Sequence, residues 1–255
     1  AGGTGGHIFP GIAVANELSH RGWNICWLGS KGGMEEGLVK DEGFEINLIS
    51  VSGLRGNGIS GWLKAPFSLT KAVFESIKVL TKVSPKLVIG FGGFASGPGG
   101  IAAFFTGTPL IIHEQNAIAG LTNKVLKKLA TMTFQAFPNA FSEHDLATKI
   151  KTVGNPVRKN ILSLNTMEKV EKKSDETINI LVVGGSRGAL ALNKYLPNVF
   201  SQLTSKHSFT VRHQVGKNRL QETTGYYASA GFTDSSTINL SEFIDDMAEA
   251  YTWAD

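Results

Sequence analysis

Four glycines in the first six residues, AGGTGGHIFPG, set a single histidine, His7, at the entrance of what reads as a helix. Glycine lets backbone approach a ligand closely, and a helix N-terminus offers unpaired N–H groups to an anion. The pattern recurs in GFGGFASGPGG (90–100) and GGSRGA (184–189), each following an apolar run. Turns of this kind at the carboxyl ends of buried strands point to an anionic ligand; the plain alternative is that they only turn the chain. None is a strict G-x-G-x-x-G, and none is a G-x-x-x-x-G-K-[ST] loop, since lysine is absent from all of them. GFGGFA (90–95) fits the looser G-x-G-x-x-A, with Glu114 about twenty positions on, a weak signal for a nicotinamide cofactor.

At the positive end of a helix an imidazole stays neutral more readily, which is the state a general base needs. His7 is therefore the candidate base; a polar surface histidine is the plain alternative. HEQNAIAG (113–120) ends another strand with consecutive hydrogen-bonding side chains, read either as a cap by Asn116 or as a clamp on hydroxyls facing His7 across a cleft. Arg158 in GNPVR (154–158) is a surface charge or a donor to pyrophosphate, for which its fork is well shaped. Ile244 in SEFIDDM (241–247) is a core residue or a place where backbone reads a base such as uracil. No metal-ligand spacing is visible, because the adjacent Asp245 and Asp246 point to different sides of a helix. The lone Cys26, in the apolar NICWLG, reads as a buried thiol and excludes a disulfide framework. Neither cofactor nor metal is expected.

These groups need elements to carry them. Strands are expected at 24–29, 44–50, 86–91, 109–114, 131–137, 178–185, 208–214 and 237–243, and helices at 10–21, 60–82, 97–106, 119–130, 190–205, 217–229 and 244–252. Pro10 suits a first helical turn. Strands such as LVVGG read as continuous Val/Ile/Leu, the mark of strands buried on both faces. Alternation along the chain implies parallel sheets in an α/β, doubly wound architecture. The polar stretch 159–177 reads as a linker between two Rossmann-like domains: 1–158, with no strand before its first glycine turn, and 178–255, a partial second domain.

The 255 residues, 42% hydrophobic and 18% charged, supply a sizeable core, and the net charge of +4 gives no call for nucleic acid. No stretch reaches the ~20 apolar residues of a membrane span. The segment 62–82, however, sets Trp62, Leu63, Phe67, Leu69 and Val73 beside Lys64, Lys71, Lys78 and Lys82, the composition of an interfacial basic helix. Phe104 and Phe105 are candidates to join that patch.

Taken together, GGTGGHIFPGIAVA, SGLRG (52–56), GGFASGPGG, HEQNAIAGLTNK, AFP, GNPVR, LVVGGSRGA and EFIDDM resemble the peptidoglycan glycosyltransferases of family 28, in order and over essentially the whole chain. The resemblance implies a GT-B fold whose second domain is incomplete here. It also implies transfer of N-acetylglucosamine from UDP-GlcNAc to the C4 hydroxyl of the muramoyl sugar of lipid I (undecaprenyl-pyrophosphoryl-MurNAc-pentapeptide), giving lipid II with inversion. By motif, Thr4, Gly5, Gly6, Asn116, Arg158, Ser186 and Ile244 would contact the donor and His7 would be the base, with Phe94, Glu114 and Gln115 on the acceptor side. Trp62, Leu63, Lys64, Phe67 and Lys71 would meet an anionic membrane, placing the protein peripherally on the cytoplasmic face of the bacterial inner membrane. Phe94 replaces a frequent family tyrosine, and Arg187 a frequent glutamine. Competing expectations are a UDP-GlcNAc 2-epimerase of the same fold, which needs carboxylates near the first turn, and a non-catalytic nucleotide-sugar-binding or membrane-recruiting module.

Overall fold

A computed structural model describes residues 1–51, 58–141, 149–166, 177–186, 188–233 and 236–255, without the side chains of 58–65 and 165–166. The motif SGLRG at 52–56, most of the stretch 167–177, Arg187, and the side chains of Trp62, Leu63 and Lys64 thus lie outside the described residues. The chain forms two compact units, Ala1–Arg158 and Lys159–Asp255.

The first unit opens with α1 (Gly5–His20), followed by β1 (Cys26–Ser30), α2 (Glu35–Asp41), β2 (Glu45–Ile49) and α3 (Gly58–Val83). It continues with β3 (Val88–Gly90), α4 (Ser96–Phe105), β4 (Leu110–Glu114), α5 (Leu121–Leu126), β5 (Met132–Gln135) and β6 (Ile150–Thr152). β1 and β2 pair in parallel with Trp27 opposite Ile46. A second parallel sheet runs β3-β4-β5-β6, with Ile112 opposite Thr133 and Thr133 opposite Ile150. The hydrophobic clusters show which helices cover which sheet. Ile8, Ile12 and Ala15 of α1 and Val39 of α2 bury against Trp27. Leu80 of α3, Ala102 and Ala103 of α4 and Leu126 of α5 share one cluster with Leu110 and Ile112. A further cluster of Ile49, Ala72 and Ala95, with Leu28 packed against it, brings α3 onto the β1–β2 sheet as well.

α1 starts five residues before its expected position. Thr4 is extended, and the amides of His7 and Ile8 already bond the Thr4 carbonyl at 3.0 and 3.1 Å. Gly5 and Gly6 are poor helix formers, but Ile8 and Ile12 are each essentially fully buried. Burial of two such side chains contributes about 3–6 kcal/mol, which outweighs the glycine penalty of about 1 kcal/mol per residue. Pro10 consequently lies in the second turn, where it leaves the Gly6 carbonyl without its i+4 donor.

The second unit contains α6 (Lys159–Leu162), a 3₁₀ turn (Ser163–Thr166), β7 (Ile178–Val183), α7 (Leu190–Leu203), β8 (Phe209–Gln214), α8 (Leu220–Ser229), β9 (Ile238–Ser241) and α9 (Met247–Trp253). The first residues of the expected linker are thus helical, and α6 packs on α9. Its parallel sheet runs β7-β8-β9, with Ile180 opposite Val211 and Val211 opposite Ile238. Val182, Phe200, Phe209, Val211, Tyr227 and Ile238 form the core.

Candidate active site

In the first unit, two glycine turns interlock around His7, the third residue of α1. Its Nδ1 lies 2.9 Å from Thr4 Oγ1, so the Thr4 hydroxyl engages the ring and gives α1 no side-chain cap. The second turn follows β3, where Gly92 and Gly93 adopt φ of 83° and 80°, the left-handed region. A Cβ at Gly92 would sit 2.9 Å from His7 Cδ2, and one at Gly93 would sit 1.8 Å from the Gly2 carbonyl oxygen. Phe94 lays its ring against Gly3, within 3.4 Å of a Cβ there. Thr4, Gly5, Gly6, His7 and Phe94 are therefore one local constellation. Where Thr4 Oγ1 accepts Nδ1–H, the lone pair of the neutral ring lies on Nε2, as a base requires.

The turn after β4 is built differently from the sequence reading. Glu114, expected on the acceptor side, is 1% exposed. It accepts from Asn116 N (2.9 Å) and Nδ2 (2.8 Å), Gly120 N (3.0 Å) and Asn123 Nδ2 (2.9 Å). Burial raises its pKa, yet these bonds outweigh burial and hold it below the usual carboxylate value. The carboxylate organises the loop 115–120. Gln115 is also interior, donating to the His113 carbonyl at 3.1 Å, while Asn155 Nδ2 bonds the Gln115 carbonyl at 3.2 Å. Asn116 is exposed and caps no helix, since α5 begins after Gly120.

Asn123 is a residue that sequence reasoning missed. Its Nδ2 bonds both Glu114 and the His113 carbonyl, and lies 3.5 Å from where a Gly92 Cβ would be. It thereby ties the third turn to the glycine that abuts His7. The available signal was its spacing of three from the apolar Leu126, which marks a buried helix face. His113 Nε2 donates to the Gly154 carbonyl at 3.0 Å, and burial lowers its pKa.

Arg158 stacks its guanidinium 4.4 Å from the centroid of Phe9, whose ring edge stands 3.0 Å from a Cβ position on Gly5. The arginine is thus delivered beside the first turns of α1, in the same unit as His7.

In the second unit, parallel strands bring three turns to one sheet end. Gly184 N bonds the Gln214 carbonyl at 3.0 Å, and a Cβ on Gly188 would lie 2.1 Å from the Val215 carbonyl oxygen. The Ser186 carbonyl accepts from Lys217 N at 3.1 Å. Ile244, half-buried, lies between Glu242, which accepts from Asn218 N at 2.9 Å, and Asp246, which caps α9 through Glu249 N at 2.9 Å. Ser186 and Ile244 therefore share an end of one sheet, while Thr4, Gly5, Gly6, His7, Asn116 and Arg158 belong to the other unit.

On α3, Phe67, Lys71, Phe74 and Lys78 are exposed at a spacing that keeps them on one stripe, with Phe67 82% and Phe74 61% accessible. Phe104 and Phe105 at the end of α4 are also exposed. Leu69 is exposed and Val73 half-buried. Among the described residues, no helix is long and apolar enough to cross a membrane, and no group of three or more His, Cys, Asp or Glu could hold a metal ion.

Residues 1–135 match the glycosyltransferase family 28 N-terminal domain and residues 179–255 its C-terminal domain. The chain is 46% identical over 255 residues to the UDP-N-acetylglucosamine--N-acetylmuramyl-(pentapeptide) pyrophosphoryl-undecaprenol N-acetylglucosamine transferase of Shewanella denitrificans, covering all of this chain and 68% of that protein. It is 48% identical to the protein of the same name from Haemophilus influenzae, covering 69% of it. The crystal structure of Acinetobacter baumannii MurG superposes with a TM-score of 0.70 at 40% identity, over 100% of this chain and 70% of that one. The UDP-GlcNAc 2-epimerase of Neisseria meningitidis, at 11% identity and a TM-score of 0.60 over 98% and 73% of the two chains, shares the fold alone. The chain belongs to glycosyltransferase family 28 and has its GT-B fold.

Proposed function

We propose that this chain transfers N-acetylglucosamine from UDP-GlcNAc to the C4 hydroxyl of the muramoyl sugar of lipid I, making lipid II for peptidoglycan. The observation that carries the reading is 46% identity along every residue to a transferase so named. In the reaction the acceptor hydroxyl loses its proton to His7 Nε2, its oxygen bonds to the anomeric carbon, and the bond to the UDP diphosphate breaks. One displacement inverts the centre and requires no covalent enzyme intermediate. Thr4 keeps the His7 ring in the tautomer with Nε2 unprotonated. Charge on the departing UDP is met by the Gly5 and Gly6 amides at the head of α1, and by Arg158. Ser186 and Ile244 bind the donor through the turns of the second unit, with uracil read by backbone near Ile244. The exposed Asn116 contacts the donor.

Lipid I presents its sugar at a membrane surface, and the stripe Phe67–Lys71–Phe74–Lys78 with Phe104 and Phe105 is suited to dock there. Each lysine near an anionic surface contributes ~1 kcal/mol, and the phenylalanines add apolar contact. On this reading the protein works peripherally on the cytoplasmic face of the inner membrane. The deciding measurement is UDP release from UDP-GlcNAc with a lipid I analogue. Release that requires acceptor is the expected result. Epimerised sugar without acceptor, or donor binding with no turnover, would overturn the proposal.

A further inference from the structure

Glu35 has no part in the chemistry above, yet it is completely buried beside the first glycine turn. One carboxylate oxygen accepts from Ser30 N at 2.8 Å and closely from Ser30 Oγ; the other accepts from Gly3 N at 3.2 Å. Glycines make room for it. A Cβ at Gly2 would stand 2.3 Å from Oε1, one at Gly33 2.4 Å from Oε2, and one at Gly29 3.0 Å from Cγ. Burial pushes this carboxyl group up, but the Ser30 hydroxyl and amide, its own amide and that of Gly3 outweigh burial, and it stays ionised below its ordinary value.

A buried charge is costly, but donors face both carboxylate oxygens, and an amide would turn an NH2 group toward one of them. One end of the link lies at the glycine turn that precedes His7. Thr4 is held on its helix side by the amides of His7 and Ile8, but it is preceded by Gly2 and Gly3, the latter with φ of 97°, so the backbone leading into it has little conformational preference of its own. The bond from Gly3 N to Glu35 pins the residue immediately before Thr4, and Thr4 holds Nδ1 of His7. A charge-assisted bond is roughly twice as strong as a neutral one and is suited to immobilising so loose a segment.

We propose that Glu35 is a positioning residue for the transfer, fixing the glycine turn so that Thr4 holds the His7 ring; this rests on the reading of His7 as the base. The test uses Glu35→Gln and Glu35→Asp in the complete chain. The first removes the charge at constant size, and the second keeps the charge but withdraws it from Gly3. Melting temperature, kcat, donor KM and the ¹⁵N–¹H signals of the His7 imidazole are measured for both. Both variants are expected to lower kcat about 10- to 100-fold with donor KM within about twofold, as displacing a reacting group by about 1 Å does. The Nδ1 resonance of His7 should lose its hydrogen-bonded position. Unchanged kcat with an unchanged His7 signal overturns the proposal, and so does a lower melting temperature with kcat per folded molecule preserved. If Glu35→Gln does not fold, Glu35→Asp carries the same outcomes. A fully active His7→Ala enzyme would remove the base reading instead, a failure distinct from an unmoved His7 signal.

Discussion

The Thr4 hydroxyl lies 2.9 Å from Nδ1 of His7, three residues along the chain and within the first turn of α1. A threonine at an N-cap ordinarily accepts from a backbone amide of the first turn, yet here the hydroxyl engages the ring. The helix forgoes a cap worth about 1 kcal/mol, and the imidazole gains an orientation.

That exchange predicts different outcomes for two substitutions. Thr4→Val keeps the shape without the hydroxyl and should lower kcat about tenfold or more, whereas Thr4→Ser should stay close to the parent. Neither should shift the melting temperature appreciably, because no helix cap is lost. His7→Ala should lose about 10²–10⁴-fold in kcat. Steady-state kinetics at saturating donor checks all of these, and a Thr4→Val enzyme with parental kcat would refute the orienting role.

Gly93 and Gly43 separate backbone strain from steric contact. Both have positive φ, 80° and 79°, but a Cβ on Gly93 meets the Gly2 carbonyl at 1.8 Å, while one on Gly43 meets nothing within 4 Å. Gly43→Ala should cost only the left-handed penalty, about 1–2 kcal/mol. Gly93→Ala adds a clash between the two turns, so it should cost more and displace His7, lowering kcat as well. Urea unfolding of both variants, set beside their kinetics, measures the difference; equal costs would show that the turns do not interlock.

In the second unit, His213 is 1% exposed, and its Nδ1 lies 3.0 Å from the Tyr227 hydroxyl. Burial lowers its pKa from 6.5 to about 4, and burial raises that of Tyr227. The folded state therefore holds the ring neutral while the unfolded chain takes up a proton below 6.5. The contribution of His213 to stability is fully present above pH 6.5 and is lost as pH drops toward 4, about 3 kcal/mol across the window. His213→Phe should flatten that slope in urea titrations between pH 4 and 7. A slope unchanged by the substitution would assign the acid sensitivity elsewhere.

How far these features could be read in advance depends on the range of the interaction behind each. The glycine turns and the apolar strands were legible because backbone conformation and two-sided burial restrict residue type locally, as in LVVGG and GFGG. The start of α1 was not, since glycine propensity argues against a helix, and what overrides it is the packing of Ile8 and Ile12 beside Trp27, a residue on another element. β6 escaped because Ile-Lys-Thr is too short to show a period. Glu114 and Gln115 look like any polar run after a strand, and only Gly120, Asn123 and Asn155 reveal them as interior. Glu35 meets Gly3 across 32 residues, a distance that no local pattern encodes.

The aromatic and basic stripe on α3 gives the last test. Lys71 and Lys78 are exposed, flanking Phe74, and Lys71 stands 3.9 Å from Glu75 at the surface, a contact too open to fix it. Reversing both charges with Lys71→Glu and Lys78→Glu should weaken binding to anionic vesicles by about 1 kcal/mol or more per site, and high salt should erase the difference. Phe67→Ser and Phe104→Ser should weaken binding in a way that salt does not erase, because their contribution is apolar. All four side chains face solvent, so the melting temperature should hold, and turnover of a short-chain soluble acceptor should be unaffected while turnover of a vesicle-borne one falls. Vesicle sedimentation with and without salt reads both components, and undiminished binding by the quadruple variant would exclude this face as the membrane contact.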